Sequence, residues 1–366
     1  MRHLGTAVLG CPRATGRLLL ILCGHWSTAA SSLSLWQGSR ACLNQSEGAV
    51  LFLKPEAQNL GSLAPYLCAL TSFLRTVTFE SVQTPDHEAA LANRPIITLT
   101  TDFGLNDHFV GTMRGVILDI VPDAQIVDIC HSVQPFDILD GALTIAQAYA
   151  YYPARTVHMV VVDPGVGSAR RPIVASSEKY SFVAPDNGVL SLVYAREERL
   201  SVRHLTADHY FLQPLSNTFH GRDVFSPAAA YLAKGVDDEK FGPEITDFVR
   251  FNAPKPKAAD AKTLRGVVLK VDRFGNLITN ITPEDVPWLF QPQIPAFKIV
   301  VGKLEVTSMK MNYAEGAPSE VFGILGSMGY LEIAANRAAA VQLAGAGKGS
   351  EVNVVLEGAV AAGNGS

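Results

Sequence analysis

The stretch Pro95-Ile-Ile-Thr-Leu-Thr-Thr-Asp-Phe-Gly-Leu-Asn-Asp107 decides the fold class of this chain. Its first part, residues 96–101, is rich in β-branched residues and predicts a buried strand, which ends at a polar run that begins with Asp102. Residues 109–120 follow with apolar side chains at helical spacing. The stretch therefore predicts a strand, a loop and a helix, which is the repeating unit of an α/β fold.

The same alternation continues as far as residue 251. Alternating β and α elements predict a mostly parallel sheet flanked by helices, with right-handed crossovers, over residues 95–251. The further predicted strands are 126–129, 156–162, 173–176 and 181–184, and the further predicted helices are 138–152 and 225–233.

A change of composition marks the predicted domain boundary. Residues 252–263 contain Pro254, Pro256, three lysines and several alanines, which is typical of a linker. Beyond it, short β-type runs with turn residues between them predict a smaller, mostly antiparallel β-barrel or sandwich over residues 264–358, followed by a tail at 359–366. The runs are 264–272, 297–301, 321–325, 330–333 and 351–356.

Residues 1–94 differ in character from the rest. The first 46 contain no acidic residue and four arginines, which is typical of a transit peptide. A signal peptide built on the short apolar run 18–23, and upstream sequence from a wrongly chosen start codon, are the alternatives. We expect this extension to be poorly ordered. We predict a cytoplasmic protein, or an organellar one if the extension is a transit peptide.

Bulk composition excludes several classes of function. With 30 Lys and Arg against 34 Asp and Glu, the net charge of -4 provides no basic surface for nucleic acid. No run approaches the roughly 20 apolar residues that span a bilayer. Of the five cysteines only Cys130 lies beyond residue 94, so we predict no disulfide framework in the main body and interpret Cys130 as a packing residue. A small-molecule partner is favoured.

Three polar motifs follow predicted strands or precede a helix, where open α/β sheets bind their ligands. They are the run from Asp102, the loop Val162-Asp-Pro-Gly-Val-Gly-Ser-Ala-Arg170, and Phe219-His-Gly-Arg-Asp223. Each also has a structural interpretation. Asp102 can be a helix N-cap, the loop 162–170 can be an ordinary glycine loop, and His220 can be a structural histidine. The other histidines of residues 95–358 show no metal-ligand spacing, so we predict no metal and no cofactor.

The ordered series of motifs resembles the S-adenosyl-L-methionine hydroxide adenosyltransferases, which belong to the superfamily of the fluorinase and chlorinase. The resemblance covers residues 95 to about 358. Besides the three motifs above, it rests on Ile129-Cys-His-Ser132, Pro135-Phe-Asp137, Ala184-Pro-Asp-Asn-Gly188, Asp272-Arg-Phe-Gly-Asn276 and Gly326-Ser-Met-Gly-Tyr-Leu-Glu-Ile-Ala334.

The resemblance implies a reaction and a catalytic set. Asp163, Arg170 and His220 would hold and polarise one water for in-line attack at the ribose C5′ of S-adenosyl-L-methionine, which releases adenosine and methionine. A sulfonium is already a good leaving group, so catalysis needs a positioned and desolvated nucleophile. Asp102 would bind the ribose hydroxyls, and Phe136 would form a wall beside the ribose.

The resemblance also implies contacts from the second domain. Asp272 would pair with the methionine ammonium, Ser327 would contact the methionine carboxylate, Asn276 would contact adenine, and Tyr313 would stack on adenine. Each of these residues has a turn or core interpretation as well. In the family the site lies between the first domain of one subunit and the second domain of its neighbour, which implies a homotrimer.

Departures from the halogenases favour water as the nucleophile. Halogenases carry an aromatic hydroxyl residue at the position of Asp163, a halide-binding serine at that of Gly221, and a loop insertion that is missing from the short segment 168–184 here. A carboxylate beside the nucleophile repels a halide. Met328 stands where halogenases have an arginine. The alternatives are a halogenase that forms 5′-halo-5′-deoxyadenosine and a non-catalytic S-adenosyl-L-methionine or adenosine-binding protein.

Overall fold

The computed structural model describes residues 94–357 and, in the preceding part of the chain, only the backbone of three short strands. These strands are Ala7–Val8, Leu19–Leu22 and Phe52–Leu53. The second pairs antiparallel with the first and parallel with the third. The chain divides into two compact units, residues 1–86 and 87–366. Two predictions, the poor order of the extension and the tail at 359–366, lie outside the described residues.

A six-stranded sheet forms the first domain. Its strands are β1 Ile96–Thr101, β2 Gln125–Cys130, β3 Val157–Val161, β4 Pro172–Ser177, β5 Ser181–Pro185 and β6 Leu200–His204. The strand order is β2-β1-β3-β5-β4-β6. The first four strands of this order are parallel, whereas β4 and β6 form an antiparallel edge. The predicted mostly parallel sheet is therefore confirmed.

Helices cover both faces of this sheet. They are α1 Phe109–Ile120, α2 Ile138–Ala148, α3 Ser191–Tyr194 and α4 Ser226–Ala233. α1 and α4 pack against each other, as do α2 and α3. Successive residues of β3 enter different cores, Met159 on one face and Val160 on the other, which explains why every residue of this strand is apolar except the buried His158. No helix in the described part of the chain is long and apolar enough to cross a bilayer.

The second domain is a curled sheet that forms a half-barrel. Its elements are β7 Lys257–Ala258, β8 Thr263–Val271, β9 Leu277–Thr279, β10 Phe297–Val301, β11 Leu304–Val306, β12 Met309–Lys310, β13 Val321–Leu325, β14 Leu331–Ala335, α5 Ala340–Ala344 and β15 Glu351–Leu356. The strand order is β11-β10-β15-β8-β9-β14-β13-β12, with β7 beside β8. Every pair is antiparallel except β12 with β13. The core includes Val268, Leu277 and Ile299.

Several boundaries differ from the sequence-based predictions. The helix predicted to reach residue 152 ends at Ala148 and continues as a 3-10 turn, Tyr149–Tyr151. A π-helical turn, Gly221–Phe225, precedes α4. The segment 252–263 is not wholly irregular, because β7 pairs with β8. Sequence analysis missed the five-residue strand β6 and the strands β7, β9, β11 and β12. These four have only two or three residues, which is too short for an alternating pattern to stand out.

Candidate active site

Asp102 and Asp163 lie close together at the carboxyl edge of the first sheet. β1 and β3 are parallel neighbours with Thr101 paired to Val161. Asp102 follows the end of β1 directly, and Asp163 follows the end of β3 after one residue, Val162. Burial raises the pKa of Asp102 and the negative charge of Asp163 adds to that increase, although a backbone hydrogen bond from Phe136 opposes it. This edge therefore holds two carboxylates that influence each other electrostatically.

The loop 163–170 packs against the chain that precedes His220. Gly167 has a φ of 76°, and a Cβ atom at this position would lie 2.3 Å from the backbone carbonyl oxygen of Asn217. Glycine tolerates both the left-handed backbone and the close approach. The contact brings together two motifs whose key residues, Arg170 and His220, are 50 residues apart in the sequence.

Arg170 bridges Asp163 and His220. Its Nε donates a hydrogen bond to Asp163 Oδ1 at 3.0 Å, and its Nη2 donates to Asp163 Oδ2. The same Nη2 donates to Nδ1 of His220 at 2.8 Å. The side chains of Arg170 and Asp163 are only 8% and 4% exposed, and the guanidinium lies over the Phe225 ring at 5.2 Å from its centroid. The structure thus brings the three predicted catalytic residues into one buried cluster.

The bond from Arg170 fixes the protonation of the His220 ring. A guanidinium is a donor only, so Nδ1 of His220 is the acceptor and the ring proton of the neutral imidazole lies on Nε2. Burial lowers the pKa of His220, and the positive charge of Arg170 lowers it further. His220 is therefore a neutral hydrogen-bond donor through Nε2, and Asp163 is the anionic acceptor of the cluster.

The cluster is a poor match for a metal site. Among residues 94–357, no group of three or more His, Cys, Asp or Glu side chains is arranged to hold a metal ion. Both oxygens of Asp163 and the Nδ1 atom of His220 already accept hydrogen bonds from Arg170, whose positive charge repels a cation. The arrangement favours chemistry on a bound water, and the absence of a metal remains a prediction.

Phe136 lies beside Asp102. The backbone N–H of Phe136 donates to Asp102 Oδ2 at 2.9 Å, and its side chain is 74% exposed. The N-cap interpretation of Asp102 is wrong, because the residue that precedes α1 is His108 and no side chain caps that helix. Asp102 instead accepts from the backbone of Phe136 at the edge of the sheet.

In the second domain, Asp272 and Asn276 form the ends of the tight turn between β8 and β9. Asp272 Oδ1 accepts hydrogen bonds from the backbone N–H groups of Phe274 and Asn276 at 2.9 and 2.8 Å. The Asn276 side chain donates to Asp272 Oδ2 at 2.9 Å. These hydrogen bonds show that the motif forms a turn, as its structural interpretation predicted. The turn exposes 78% of Phe274, an apolar surface that sequence analysis did not single out.

A buried glutamate that sequence analysis missed lies beside Tyr313. The Tyr313 hydroxyl donates to Glu332 Oε2 at 3.4 Å, and Glu332 is 5% exposed. Burial raises the pKa of Glu332, and the nearby charge of Asp272 raises it further. A single acidic residue in the otherwise apolar strand β14 was the available signal. Asp272, Glu332 and Tyr313 therefore form the polar cluster of the second domain.

The structure leaves the predicted substrate residues in two separate groups. Asp102, Phe136 and the Asp163 cluster belong to the first domain, and the Asp272 group belongs to the second. No hydrogen bond or ion pair among residues 94–357 joins a predicted site residue of one domain to one of the other. Ser327 is exposed on the turn between β13 and β14. Each domain of one chain thus carries part of the expected site.

Gly221 is closely surrounded by other side chains. A Cβ atom at this position would lie 2.9 Å from Met113 Sδ and 3.2 Å from a ring carbon of Phe219. A serine, which halogenases carry at this position, would force these neighbours to move. A side chain at Gly221 would therefore have to displace its neighbours, foremost the side chain of Met113.

Comparison with known proteins places the chain in a family. The family models for the SAM hydroxide adenosyltransferase N-terminal and C-terminal domains match residues 97–242 and 266–353. The chain belongs to the SAM hydroxide adenosyltransferase family. The sequence-based resemblance is thereby confirmed, and the two matched regions lie on either side of the predicted linker.

Relatives that match this chain over most of their own length support this membership. A protein of Salinispora tropica named (R)-S-adenosyl-L-methionine hydrolase is 34% identical over 266 residues, which are 72% of this chain and 99% of the relative. A protein of the same name from Methanocaldococcus jannaschii is 38% identical over 205 residues, 54% of this chain and 72% of the relative. The crystal structure of an uncharacterized conserved protein from Thermotoga maritima matches with a TM-score of 0.66 and 34% identity, covering 71% of this chain and 99% of that chain.

Relatives named fluorinase are less similar. One from Nocardia brasiliensis is 28% identical over 274 residues, 67% of this chain and 91% of the relative. The comparisons therefore favour the predicted hydrolase over the halogenase, in agreement with the carboxylate at Asp163 and the packing around Gly221.

Proposed function

We propose that this protein hydrolyses S-adenosyl-L-methionine to adenosine and L-methionine by in-line attack of water at the ribose C5′. The observation that carries the proposal is the buried bridge of Arg170 between Asp163 and His220, beside the Asp102 carboxylate. This arrangement provides one anionic acceptor, one neutral donor and a fixed cation within reach of one small molecule. Such a group can hold a single water in a defined orientation.

The hydrogen-bond roles indicate the path of the proton. His220 Nε2–H donates to the oxygen of the water, while Asp163 accepts one of its protons as the oxygen forms a bond with C5′. The C5′–sulfur bond breaks, and its electron pair stays on sulfur to give the neutral thioether of methionine. A guanidinium donates hydrogen bonds and accepts none, so the role of Arg170 is to orient Asp163 and to hold the tautomer of His220.

The two polar groups also indicate how the substrate is shared. We infer that Asp102 and Phe136 of one subunit hold the ribose, while Asp272, Asn276, Tyr313 and Ser327 of a neighbouring subunit hold methionine and adenine. The separation of the two groups within one chain supports this arrangement, and so do the exposed aromatic side chains of Phe136 and Phe274. The proposed assembly is the homotrimer that the family resemblance implies.

The reaction products test this function directly. With S-adenosyl-L-methionine and excess chloride or fluoride, we expect adenosine and methionine alone, because the Asp163 carboxylate repels a halide and Gly221 offers no hydroxyl to bind one. Curated relatives are named for the (R) sulfonium epimer, so we propose that epimer as a substrate too. Liquid chromatography with mass spectrometry measures the products of both epimers. A 5′-halo-5′-deoxyadenosine as the main product would instead identify a halogenase.

The pH dependence of kcat/KM tests the role of His220. Burial and the charge of Arg170 lower the pKa of His220 from its ordinary value of 6.5, so the neutral ring that accepts from Arg170 persists below that pH. We expect kcat/KM to stay level as the pH falls through 6.5 and to decline only at lower pH, where the protonated ring loses this bond. The measurement is a pH profile of kcat/KM under subsaturating substrate.

A variant of His220 tests whether this residue causes the decline of kcat/KM at low pH, which is the acid limb of the profile. His220→Gln retains a donor but does not titrate, so the limb should move to lower pH, where protonation of the carboxylates takes over. His209→Gln, a change at an exposed histidine outside the cluster, should leave the profile unchanged. A limb centred above the ordinary histidine pKa, or one that His220→Gln does not move, would contradict the assignment.

A further inference from the structure

The turn that carries Phe136 has an unusual backbone. Residues 134–137 form a β-turn in which the Asp137 N–H donates to the Gln134 carbonyl oxygen at 3.0 Å. Pro135 occupies its second position, and Phe136 occupies its third with a φ of 67°. Turns of this type require a positive φ at the third position and usually place glycine there. A phenylalanine in this conformation persists only where surrounding contacts hold it.

Two aspartates hold the ends of this turn. Asp140 Oδ2 accepts a hydrogen bond from the Gln134 N–H at 2.8 Å. Asp137, the last residue of the turn, caps α2 by accepting from the Asp140 N–H at 3.1 Å. Since Phe136 N–H also donates to Asp102, the turn, both aspartates and the ribose carboxylate form one connected set.

Two lysines of the second domain pair with these aspartates. Lys270 Nζ lies 2.5 Å from Asp140 Oδ1 and donates to Thr144 Oγ1 at 3.2 Å. Asp140 Oδ1 is buried and accepts no hydrogen bond among the described residues, so the ion pair with Lys270 is its only polar partner there. Lys348 pairs with Asp137. The pairing of β8 with β9 shifts register between Val268 and Lys270, and such bulges redirect side chains.

We propose that Lys270 and Lys348 are positioning residues, through which the second domain holds the Phe136 turn in the conformation that binds ribose. The proposal rests on the proposed function, since it takes Asp102 and Phe136 as the ribose contacts. Lys270 acts through Asp140 on the start of the turn, and Lys348 acts through Asp137 on its end. Both pairs draw the second domain onto a segment of the first whose backbone needs external support.

A simple structural role for these ion pairs makes a different prediction. If they only join the domains, their loss lowers stability, and every ligand that still binds is recognised as before. If they hold the turn, their loss weakens the contact between Asp102 and the ribose hydroxyls specifically. The ratio of the dissociation constants of 2′-deoxyadenosine and adenosine measures that contact and is independent of how much protein remains folded.

The experiment measures this ratio by titration calorimetry on the full-length chain. In the unmodified protein we expect 2′-deoxyadenosine to bind at least about 10-fold more weakly than adenosine, because it lacks a hydroxyl that donates to a carboxylate. In Lys270→Met and in Lys348→Met the ratio should fall by at least about threefold. Lys298→Met is the control, because Lys298 pairs with Glu305 and Glu357 of its own domain and should leave the ratio unchanged.

The outcomes separate the two proposals. An unchanged ratio in both lysine variants overturns the positioning role while the proposed function stands. An unmodified protein that does not bind adenosine overturns the proposed function and the positioning role with it. Lys270→Met leaves the buried Asp140 carboxylate without its cation and can fail to fold. Lys348→Met removes a more exposed pair, so it provides the result in that case.

Discussion

Asp163→Asn is expected to reduce kcat for S-adenosyl-L-methionine hydrolysis by about 1000-fold, which lies within the range for loss of a general base. The amide has nearly the same shape as the carboxylate but accepts no proton. It also turns a donor toward Arg170, where the carboxylate accepts through both oxygens. Substrate binding should change little, because Asp163 contacts the water rather than the substrate. Initial rates by chromatography and substrate affinity by calorimetry give the two quantities.

A matched control uses another aspartate that pairs with an arginine. Asp247 pairs with Arg171, the neighbour of Arg170, but its side chain is 78% exposed. Asp247→Asn should therefore leave kcat within about twofold of the unmodified protein, because exposed pairs contribute little. If Asp163→Asn retained a tenth or more of the original kcat, Asp163 would not be the proton acceptor.

Mixing two inactive variants is expected to restore hydrolysis. Asp163→Asn damages only the first-domain part of a site, and Asp272→Asn damages only the second-domain part. Asparagine keeps an oxygen for the two backbone donors of the turn between β8 and β9, so the fold should be retained. In co-produced trimers with equal amounts of both chains, about a quarter of the sites combine two intact parts if each site spans two subunits.

The measurement is the specific activity of the co-produced mixture against each variant alone. A mixture of Asp163→Asn with Asp102→Asn is the control, because both changes lie in the first domain and no pairing yields an intact site. Activity of the first mixture equal to the sum of its two components would show that each chain builds its own site.

Sequence patterns predicted the first domain well because its central strands are buried on both faces and produce long apolar runs, as at β3. They also placed Asp102 and Asp163 at the ends of predicted strands. They did not reveal that Arg170 is the bridge of the cluster. The bridging position of Arg170 depends on the close approach of Gly167 to Asn217. This contact joins two loops that are far apart in the sequence, and it leaves no periodic signal.

Long-range ion pairs were also beyond sequence analysis. Lys270 forms an ion pair with Asp140 and also donates to Thr144, which is 126 residues away in the sequence. A lysine in a strand is usually a solvated residue. Glu332 is a different case. It lies within a motif that the resemblance used, yet its burial and its proximity to Asp272 became visible only when β14 was placed beside the turn between β8 and β9.

The most direct test of the central claim follows the oxygen of the attacking water. The protein is incubated with S-adenosyl-L-methionine in water enriched in heavy oxygen, with chloride present, and the adenosine is analysed by mass spectrometry. Attack of water at C5′ predicts one heavy oxygen in the 5′-hydroxyl of every adenosine at full enrichment. Adenosine without the label, or 5′-chloro-5′-deoxyadenosine in its place, would contradict hydrolysis at this carbon.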